Sequence, residues 1–441
     1  MPKSPPATGP PAKKHRNRGI NSGPANLGAM FSTPTAVAAA PGSHRPVSQS
    51  LAAWALALLL GLQPATTDIY LPALPALTHD LGAPMASAQL TLSALILAFG
   101  IAQLFWGPVA DRFGRRPVLL TGLALYTVAS AGSALAGSIE ALIVWRVLQG
   151  ASMAAAVVCA RAMLRDLYEP QQGARVMSLG LSGLGVIAII GPVLGGLAAA
   201  AGGWRAALAV VVLFGAATLA FVVWRLPETL RHKNPRATAL RPLFSAWAGI
   251  ARHPTFIAWT LLVAFTYAGL YVILAGSAFV YIDVLGLSPV GYGLAMACGS
   301  CSYLAGTFIC RRWVLAHGMA GAVARAALFT LGGGALMAAL ALAGVHQVWA
   351  VLLPQCLFAF GHGVHQPCGQ AGAVGPFPQA AGAASALAGF VLALVAFGIG
   401  LWLGQALDGT VLPYALGLAF WSTLAALVAW TLVQRTARAP A

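Results

Sequence analysis

The amino-acid sequence predicts an all-α membrane protein with twelve transmembrane helices in two pseudo-symmetric six-helix bundles. Three observations support this prediction: the apolar fraction, the number of long apolar segments and the positions of the basic residues. Apolar residues make up 59% of the chain, charged residues only 8%, and the mean hydropathy is +0.81. A water-soluble domain has too little interior to bury so much apolar surface, so lipid is the solvent for most of the chain.

Apolar segments of membrane-spanning length follow one another from residue 50 to residue 433. A helix that crosses a bilayer needs roughly 20 apolar residues, and charges, glycines and prolines divide this region into twelve such segments. The predicted spans are 50–72, 88–110, 116–137, 139–163, 174–200, 204–226, 255–281, 290–311, 321–343, 347–372, 380–406 and 411–433.

A long basic connection divides the spans into six and six, which predicts five regions of the chain. These are a disordered basic tail (1–48), an N-terminal bundle (49–227), a cytoplasmic linker (228–254), a C-terminal bundle (255–434) and a C-terminal tail (435–441). The first region is rich in Pro, Ala, Gly and Ser, a composition that builds no core. Translation from Met30 instead of Met1 would shorten this tail without altering the argument.

The basic residues alternate between successive loops. Loops after even-numbered spans, together with the C-terminal tail, carry Arg112, Arg115, Arg116, Arg165, Arg175, Arg231, Lys233, Arg236, Arg241, Arg252, Arg311, Arg312, Arg435 and Arg438. The opposite loops contain Arg205 as their basic residue, with the acids Asp80, Glu140, Asp283 and Asp408. The loop between the tenth and eleventh spans has no charge. The positive-inside rule therefore predicts a multi-pass protein of the inner (cytoplasmic) membrane with both termini in the cytoplasm.

The net charge of +16, from 25 Lys and Arg against 9 Asp and Glu, raises the question of a nucleic-acid partner. The basic residues fall in loops and tails, where they orient the protein and attract anionic lipid, so we expect the lipid bilayer and not nucleic acid as partner. The six cysteines are scattered through apolar segments, which argues against a disulfide framework. We expect a monomer.

The segment 107–117 (GPVADRFGRRP) resembles the signature loop between the second and third helices of the major facilitator superfamily. The resemblance implies a conformational latch formed by Gly107, Asp111, Arg112, Gly114, Arg115 and Arg116. In that family the aspartate lies near the N-terminus of a helix of the other half, where the helix dipole favours a negative charge. The alternative is that the loop only sets the orientation of the chain in the membrane. This alternative explains the arginines but not the spacing of the acid and the two glycines. Segment 306–312 (GTFICRR) is a weak copy with Cys310 in place of Asp111, as expected of two related six-helix halves.

Three further stretches narrow the resemblance: 68–75 (DIYLPALP), 161–168 (RAMLRDLY) and 376–387 (PFPQAAGAASAL). Together they are similar to the Bcr/CflA type of multidrug:proton antiporter, and the similarity runs from about residue 50 to residue 430. Gly191, Pro192, Gly195 and Gly196 of the fifth span resemble the antiporter motif, although Ile187 stands where the family usually has another glycine. Ordinary packing of membrane helices is the alternative for these residues.

Two ionisable residues stand out inside the predicted spans, where charges are costly and functional by default. Asp68 precedes Pro72 by four residues, and Arg146 follows Glu140 by six, so both lie at a similar depth in the outer half of the membrane. We predict that they approach each other directly or through water and form the proton-coupling site. Burial favours a protonated carboxylate and a nearby arginine favours an ionised one. The alternatives are a helix-end aspartate facing water and an arginine bound to backbone carbonyls.

The resemblance implies that helices one, four, seven and ten line the substrate cavity. On these helices, side chains at helical spacing form stripes of amides, aromatic rings and methionine, which suit varied amphipathic molecules. The predicted cavity residues are Gln149, Met153, Tyr267, Tyr271, Gln355, Phe358, His362 and Gln366. Helix packing is the alternative for Met153, Tyr267 and Phe358.

These features predict a proton-coupled secondary transporter that exports drug-like or amphipathic small molecules by alternating access. Import of a small polar nutrient by proton symport is the alternative, and a membrane enzyme or a channel is disfavoured. The sequence contains no Walker-type loop, so we expect the proton gradient to supply the energy without a cofactor. We expect no metal site, because His362, His365 and Cys368 drift around a helix with no acid nearby. Cys298 and Cys301 are interpreted as small packing residues.

Overall fold

The computed structural model describes residues 48–230 and 232–438. Most of the predicted N-terminal tail, including Met30, lies outside the described residues, as do Arg231 and the last three residues of the predicted C-terminal tail. The described residues from Ser48 onward belong to one compact unit and contain no β-strand.

Thirteen α-helices are described. They are α1 (Gln49–Asp68), α2 (Leu74–Asp80), α3 (Met85–Phe113), α4 (Arg115–Ala134), α5 (Ile139–Leu167), α6 (Pro170–Arg225), α7 (Leu240–Ala251), α8 (Pro254–Ala278), α9 (Pro289–Leu342), α10 (Val348–Val374), α11 (Ala381–Ala406), α12 (Leu412–Trp430) and α13 (Leu432–Arg438). A 3₁₀ turn (Leu71–Ala73) joins α1 to α2, and a π-helical turn (Phe279–Val284) extends α8.

Ten helical stretches of the described chain are long and apolar enough to cross a membrane. Two of them contain 51 and 54 residues, about 75–80 Å of helix against a hydrocarbon core of about 30 Å. Each is interrupted by glycines with non-helical torsions: α6 at Gly202 and Gly203, and α9 at Gly318. Dividing α6 and α9 at these glycines yields the twelve segments expected from the sequence, with bounds within a few residues of the predicted ones.

Local chemistry explains several helix ends. The side chains of Ser48, Ser138 and Ser288 accept backbone N–H groups at the starts of α1, α5 and α9, so each replaces a hydrogen bond that the helix leaves unmade. Gly114 separates α3 from α4 with a φ of +113°, a conformation that glycine adopts without strain. The charged loop is therefore a single-residue turn between two membrane helices.

The linker contains an amphipathic helix, α7, that the sequence analysis did not anticipate. Trp247 and Ile250 are buried on one face of α7, and the Trp247 ring packs edge-on against Phe105 of α3, with ring centroids 5.9 Å apart. The linker is thus partly helical and attached to the bundle. The end of the bundle that carries α7 and the turn at Gly114 is called the loop end below, and the opposite end the far end.

The two halves pack closely at the far end. Gln89 of α3 donates a 2.6 Å hydrogen bond to the backbone carbonyl of Ala275 in α8. Gly404 of α11 lies against Ala86 of α3, where an ideal Cβ on the glycine would be 2.9 Å from the Ala86 Cα. Because such contacts join helices from opposite halves, the far end is closed in this conformation.

Candidate functional site

A cavity of about 90 Å³ lies between the two halves. Its walls come from α1, α3 and α5 of the first half and from α8, α10 and α11 of the second. The polar side chains that line it are Gln63, Gln103, Arg161, Thr260, Tyr267, Gln366, Gln370 and Ser385. A site for a drug-sized ligand has a volume of roughly 300 Å³ or more, so the halves must separate further to admit one.

Two of the eight predicted cavity residues, Tyr267 and Gln366, line this cavity. The other six do not, and they are buried in the packing of one half or the other: Gln149, Met153, Tyr271, Gln355, Phe358 and His362. Gln355, for example, accepts hydrogen bonds from the hydroxyls of Tyr281 and Tyr414, both 3.1 Å long. His362 bonds the Thr266 hydroxyl at 3.0 Å. In this conformation all six are packing residues, as the alternative given for Met153 and Phe358 predicted.

The predicted residues lie on the correct faces of α5 and α10, but the residues that line the cavity lie further along these helices, toward the loop end. Arg161 follows Val157 by one helical turn, and Gln370 follows Gln366 by one turn. Continuing each stripe toward the loop end would have found both residues. Gln63 and Gln103 had no comparable signal, apart from being amides inside apolar spans.

Asp68 ends α1 and is half-buried beside the second half. Its carboxylate accepts a 2.8 Å hydrogen bond from the Thr67 hydroxyl. An ideal Cβ on Gly191 would lie 3.4 Å from the Asp68 Cβ, so the candidate proton site touches the glycine motif of α6. Tyr267 of the cavity wall lies within electrostatic reach of Asp68. The carboxylate is therefore behind the deep end of the cavity.

Arg146 is completely buried within the first half. Its guanidinium carbon lies 3.7 Å from the centroid of the Tyr70 ring, and its Nη1 donates to Gln149 Oε1 at 2.8 Å. Nε and Nη2 have no hydrogen-bond partner in the described structure. Among the described residues, no carboxylate lies within ion-pair distance of Arg146. A direct contact with Asp68 is therefore not formed: the Tyr70 ring covers one face of the guanidinium and the Gln149 amide oxygen binds Nη1 at its edge. Contact through water stays a prediction.

The glycine motif of α6 allows backbones to approach closely at the far end. Gly195 lies directly against the Ile69 carbonyl of α1, and Gly196 against the Pro289 carbonyl of α9. In return, the Pro192 carbonyl lies against Gly293 of α9. A side chain at either position would collide with backbone, so the motif brings α1, α6 and α9 together across the two halves.

The charged loop forms an ion-pair cluster at the loop end. Arg115 pairs with Asp111 at 2.6 Å and with Asp166 of α5 at 3.1 Å. The Asp111 carbonyl accepts the Asn234 N–H at 3.0 Å, and Arg112 Nη1 donates to Thr238 Oγ1 at 2.7 Å. Among the described residues, no hydrogen bond or ion pair joins Asp111 to a helix of the second half. The latch residues instead bind α5, the C-terminal end of α6 and the linker.

Glu228 completes this cluster and was missed by the sequence analysis. Its carboxylate accepts the backbone N–H groups of Arg115 and Arg116 at 3.0 and 3.2 Å, at the N-terminus of α4. An ideal Cβ on Gly114 would lie only 2.5 Å from Glu228 Oε2. The glycine therefore makes room for a carboxylate that caps α4, a contact between residues more than 110 positions apart.

A comparison with known families decides the assignment. The family model described as Major Facilitator Superfamily matches residues 56–401. The chain belongs to the major facilitator superfamily. It is accordingly a multi-pass membrane transporter.

Relatives and solved structures agree with this assignment. Multidrug resistance protein D of Escherichia coli (strain K12) is 31% identical over 335 residues, which are 76% of this chain and 83% of that protein. A bicyclomycin resistance protein homolog of Haemophilus influenzae is 27% identical over 339 residues, 76% of this chain and 84% of its own length. The crystal structure of a D-xylose-proton symporter superimposes with a TM-score of 0.72 at 17% identity, over 88% of this chain and 98% of that one. At this identity the likeness shows the fold alone.

Proposed function

We propose that this transporter exports drug-like or amphipathic small molecules in exchange for protons, by alternating access between the two halves. The observation that carries the proposal is the juxtaposition of a polar and aromatic cavity with a membrane carboxylate, Asp68, behind its deep end. The names of the relatives, multidrug resistance and bicyclomycin resistance proteins, support export over import.

The closed far end and the cavity nearer the loop end support an inward-facing state. The loop end is joined across the halves by side-chain hydrogen bonds, such as Arg161 to Ser385 at 3.0 Å and Arg311 to Ser178 at 3.1 Å. Such contacts exchange readily with water, whereas glycine-mediated backbone contacts at the far end exclude it. Separation at the loop end would admit substrate from the side that the arginine-rich loops occupy, which the positive-inside rule places in the cytoplasm.

Asp68 is the proposed proton carrier, and Arg146 is proposed to act on it through Tyr70 rather than by direct contact. Protonation neutralises the carboxylate, and movement of α1 against Gly191 then changes its exposure to either side. The energy comes from the proton gradient, so no cofactor is required. We propose that the protein works as a monomer in the inner membrane with both termini in the cytoplasm.

Export from an efflux-deficient bacterial strain that expresses the protein tests the proposal. The strain is challenged with a panel of neutral, anionic and cationic compounds, with and without a protonophore. We expect resistance to some compounds, lower accumulation of them, and loss of both effects with the protonophore. Increased sensitivity, with gradient-driven accumulation of a small polar compound, would favour nutrient import. Export that survives collapse of the gradient would exclude proton coupling.

A further inference from the structure

In the described part of the chain, the wall of the cavity contains a positive charge and no negative charge. Arg161 is the one charged residue among the described residues that line it, and the cavity wall contains no carboxylate. Among the described residues, no acid lies within ion-pair distance of Arg161; its Nη1 donates to the hydroxyl of Ser385 at 3.0 Å. Arg165, a second cation, lies one turn further along α5. The cavity therefore presents positive charge without an internal counter-ion.

Several buried polar atoms of the cavity wall also have no partner. Gln103 is 4% exposed and its Nε2 makes no hydrogen bond, and Thr260 is 3% exposed with an unpartnered hydroxyl. The Oε1 atom of Gln366 is likewise unpartnered. Buried polar groups are nearly always hydrogen-bonded, and leaving one unpaired is costly. A ligand in the cavity would supply an acceptor for Gln103 and Thr260 and, from another of its groups, a donor for Gln366.

The Arg161 guanidinium and the unpartnered Nε2–H group of Gln103 lie beside the same turn of α11. Arg161 contacts Ser385, while the Gln103 amide packs over Gly389, where any Cβ would collide with it. Ser385 and Gly389 are four residues apart, which is about 6 Å along a helix. The two donors therefore border neighbouring positions on one face of α11 in the cavity wall.

On this basis we propose that the cavity selects amphipathic substrates bearing a carboxylate, with Arg161 and Gln103 as the groups that bind it. The inference rests on the proposed function, since it names the substrate class of the same cavity. A guanidinium and an amide N–H are hydrogen-bond donors, and a carboxylate is an acceptor-only group that satisfies both. A purely cationic compound would instead meet Arg161, and Arg165 beyond it, with no acid in the cavity wall to offset them. Arg161 would thus determine specificity, separately from Asp68.

Rhodamine 110 and rhodamine 123 test the inference because they differ only in that the second is the methyl ester of the first. Their binding to the purified full-length protein in detergent is measured by fluorescence anisotropy. We expect wild type to bind rhodamine 110 at least about tenfold more tightly, the effect of one charge-assisted hydrogen bond. Arg161→Gln should remove most of this preference without weakening rhodamine 123 binding, and Arg161→Lys should retain part of it.

A control variant outside the cavity keeps the test specific. Arg252→Gln removes an exposed arginine outside the cavity and should change nothing. The inference is overturned if wild type binds neither dye or prefers rhodamine 123. An unchanged preference in Arg161→Gln would overturn it equally.

The failure of the inference can be distinguished from the failure of the proposed function. In proteoliposomes with an imposed proton gradient, gradient-driven transport of both dyes without preference would leave export standing and reject the carboxylate site. Selective binding of rhodamine 110 with no gradient-driven transport of any compound would retain the site and reject proton-coupled export.

Discussion

The guanidinium of Arg146 lies 3.7 Å from the centroid of the Tyr70 ring and has no carboxylate as partner among the described residues. A desolvated cation–π contact contributes about 2 kcal/mol, and Tyr70 is two residues from Asp68. The tyrosine therefore connects the buried cation to the segment that carries the proposed proton site.

Substitutions at Tyr70 test this connection. Tyr70→Leu removes the ring and should reduce gradient-driven transport roughly tenfold or more, because Arg146 is left with one amide partner. Tyr70→Phe keeps the ring and loses only the 2.8 Å hydrogen bond to Thr91, so it should retain most of the activity. Equal loss in both variants, measured in proteoliposomes, would assign the role of Tyr70 to its hydroxyl.

Asp68→Asn should abolish proton-coupled export, because an amide cannot exchange a proton at this position. Substrate binding should remain, since Asp68 does not line the cavity. The measurement compares export with and without an imposed pH gradient. Asp80→Asn is the matched control, because Asp80 is an exposed far-end acid that binds Trp204 and Arg205. Undiminished coupling in Asp68→Asn would remove this residue from the mechanism.

Gly196→Ala should open the far end. The new methyl group would collide with the backbone of Pro289, so α6 and α9 must separate and the inward-facing state loses stability. We expect transport to fall at least tenfold, and a cysteine introduced at the far end to label faster. Gly185→Ala in the same helix meets only the Leu304 side chain, at 3.7 Å, and should transport normally. Normal transport by both variants would contradict a role for the motif in closure.

Asp111→Ala should impair transport while membrane insertion and topology remain intact. The arginines that orient the loop are unchanged, and Arg115 keeps its contact with Asp166. Transport assays with topology reporters on both termini separate the two effects. Glu140→Gln removes an exposed acid at the far end and serves as control. If Asp111→Ala inverts the topology, the loop orients the chain in the membrane and does not act as a conformational latch.

Glu228→Ala should lower the thermal stability of the purified protein. The carboxylate caps α4 by accepting two N–H groups at its start, and loss of a helix cap costs about 1–2 kcal/mol. Intrinsic fluorescence during heating measures the shift in Tm. Glu228→Gln keeps one acceptor oxygen and should lose less. An unchanged Tm in Glu228→Ala would show that water replaces the cap.

The helix pattern could be predicted closely because it depends on local properties. Apolar length and the positions of charges, glycines and prolines placed most helix ends within a few residues, and Gly202, Gly203 and Gly318 divide the two long helices where breaks were expected. Helix α7 was missed because its apolar face, with Trp247 and Ile250, is short and lies within a basic stretch that favours a loop.

The sequence by itself determined the membrane architecture and the identity of the charged residues inside the spans, because both follow from composition and spacing along one chain, and its motifs carried the resemblance to the family. Tertiary structure alone decided which residues meet. Arg146 faces Tyr70 instead of Asp68, Glu228 caps a helix more than 110 residues away, and the cavity is lined by Arg161 rather than by Gln149. These contacts depend on how helices rotate and slide against one another, and the periodicity of a single helix carries no information about its depth relative to its neighbours.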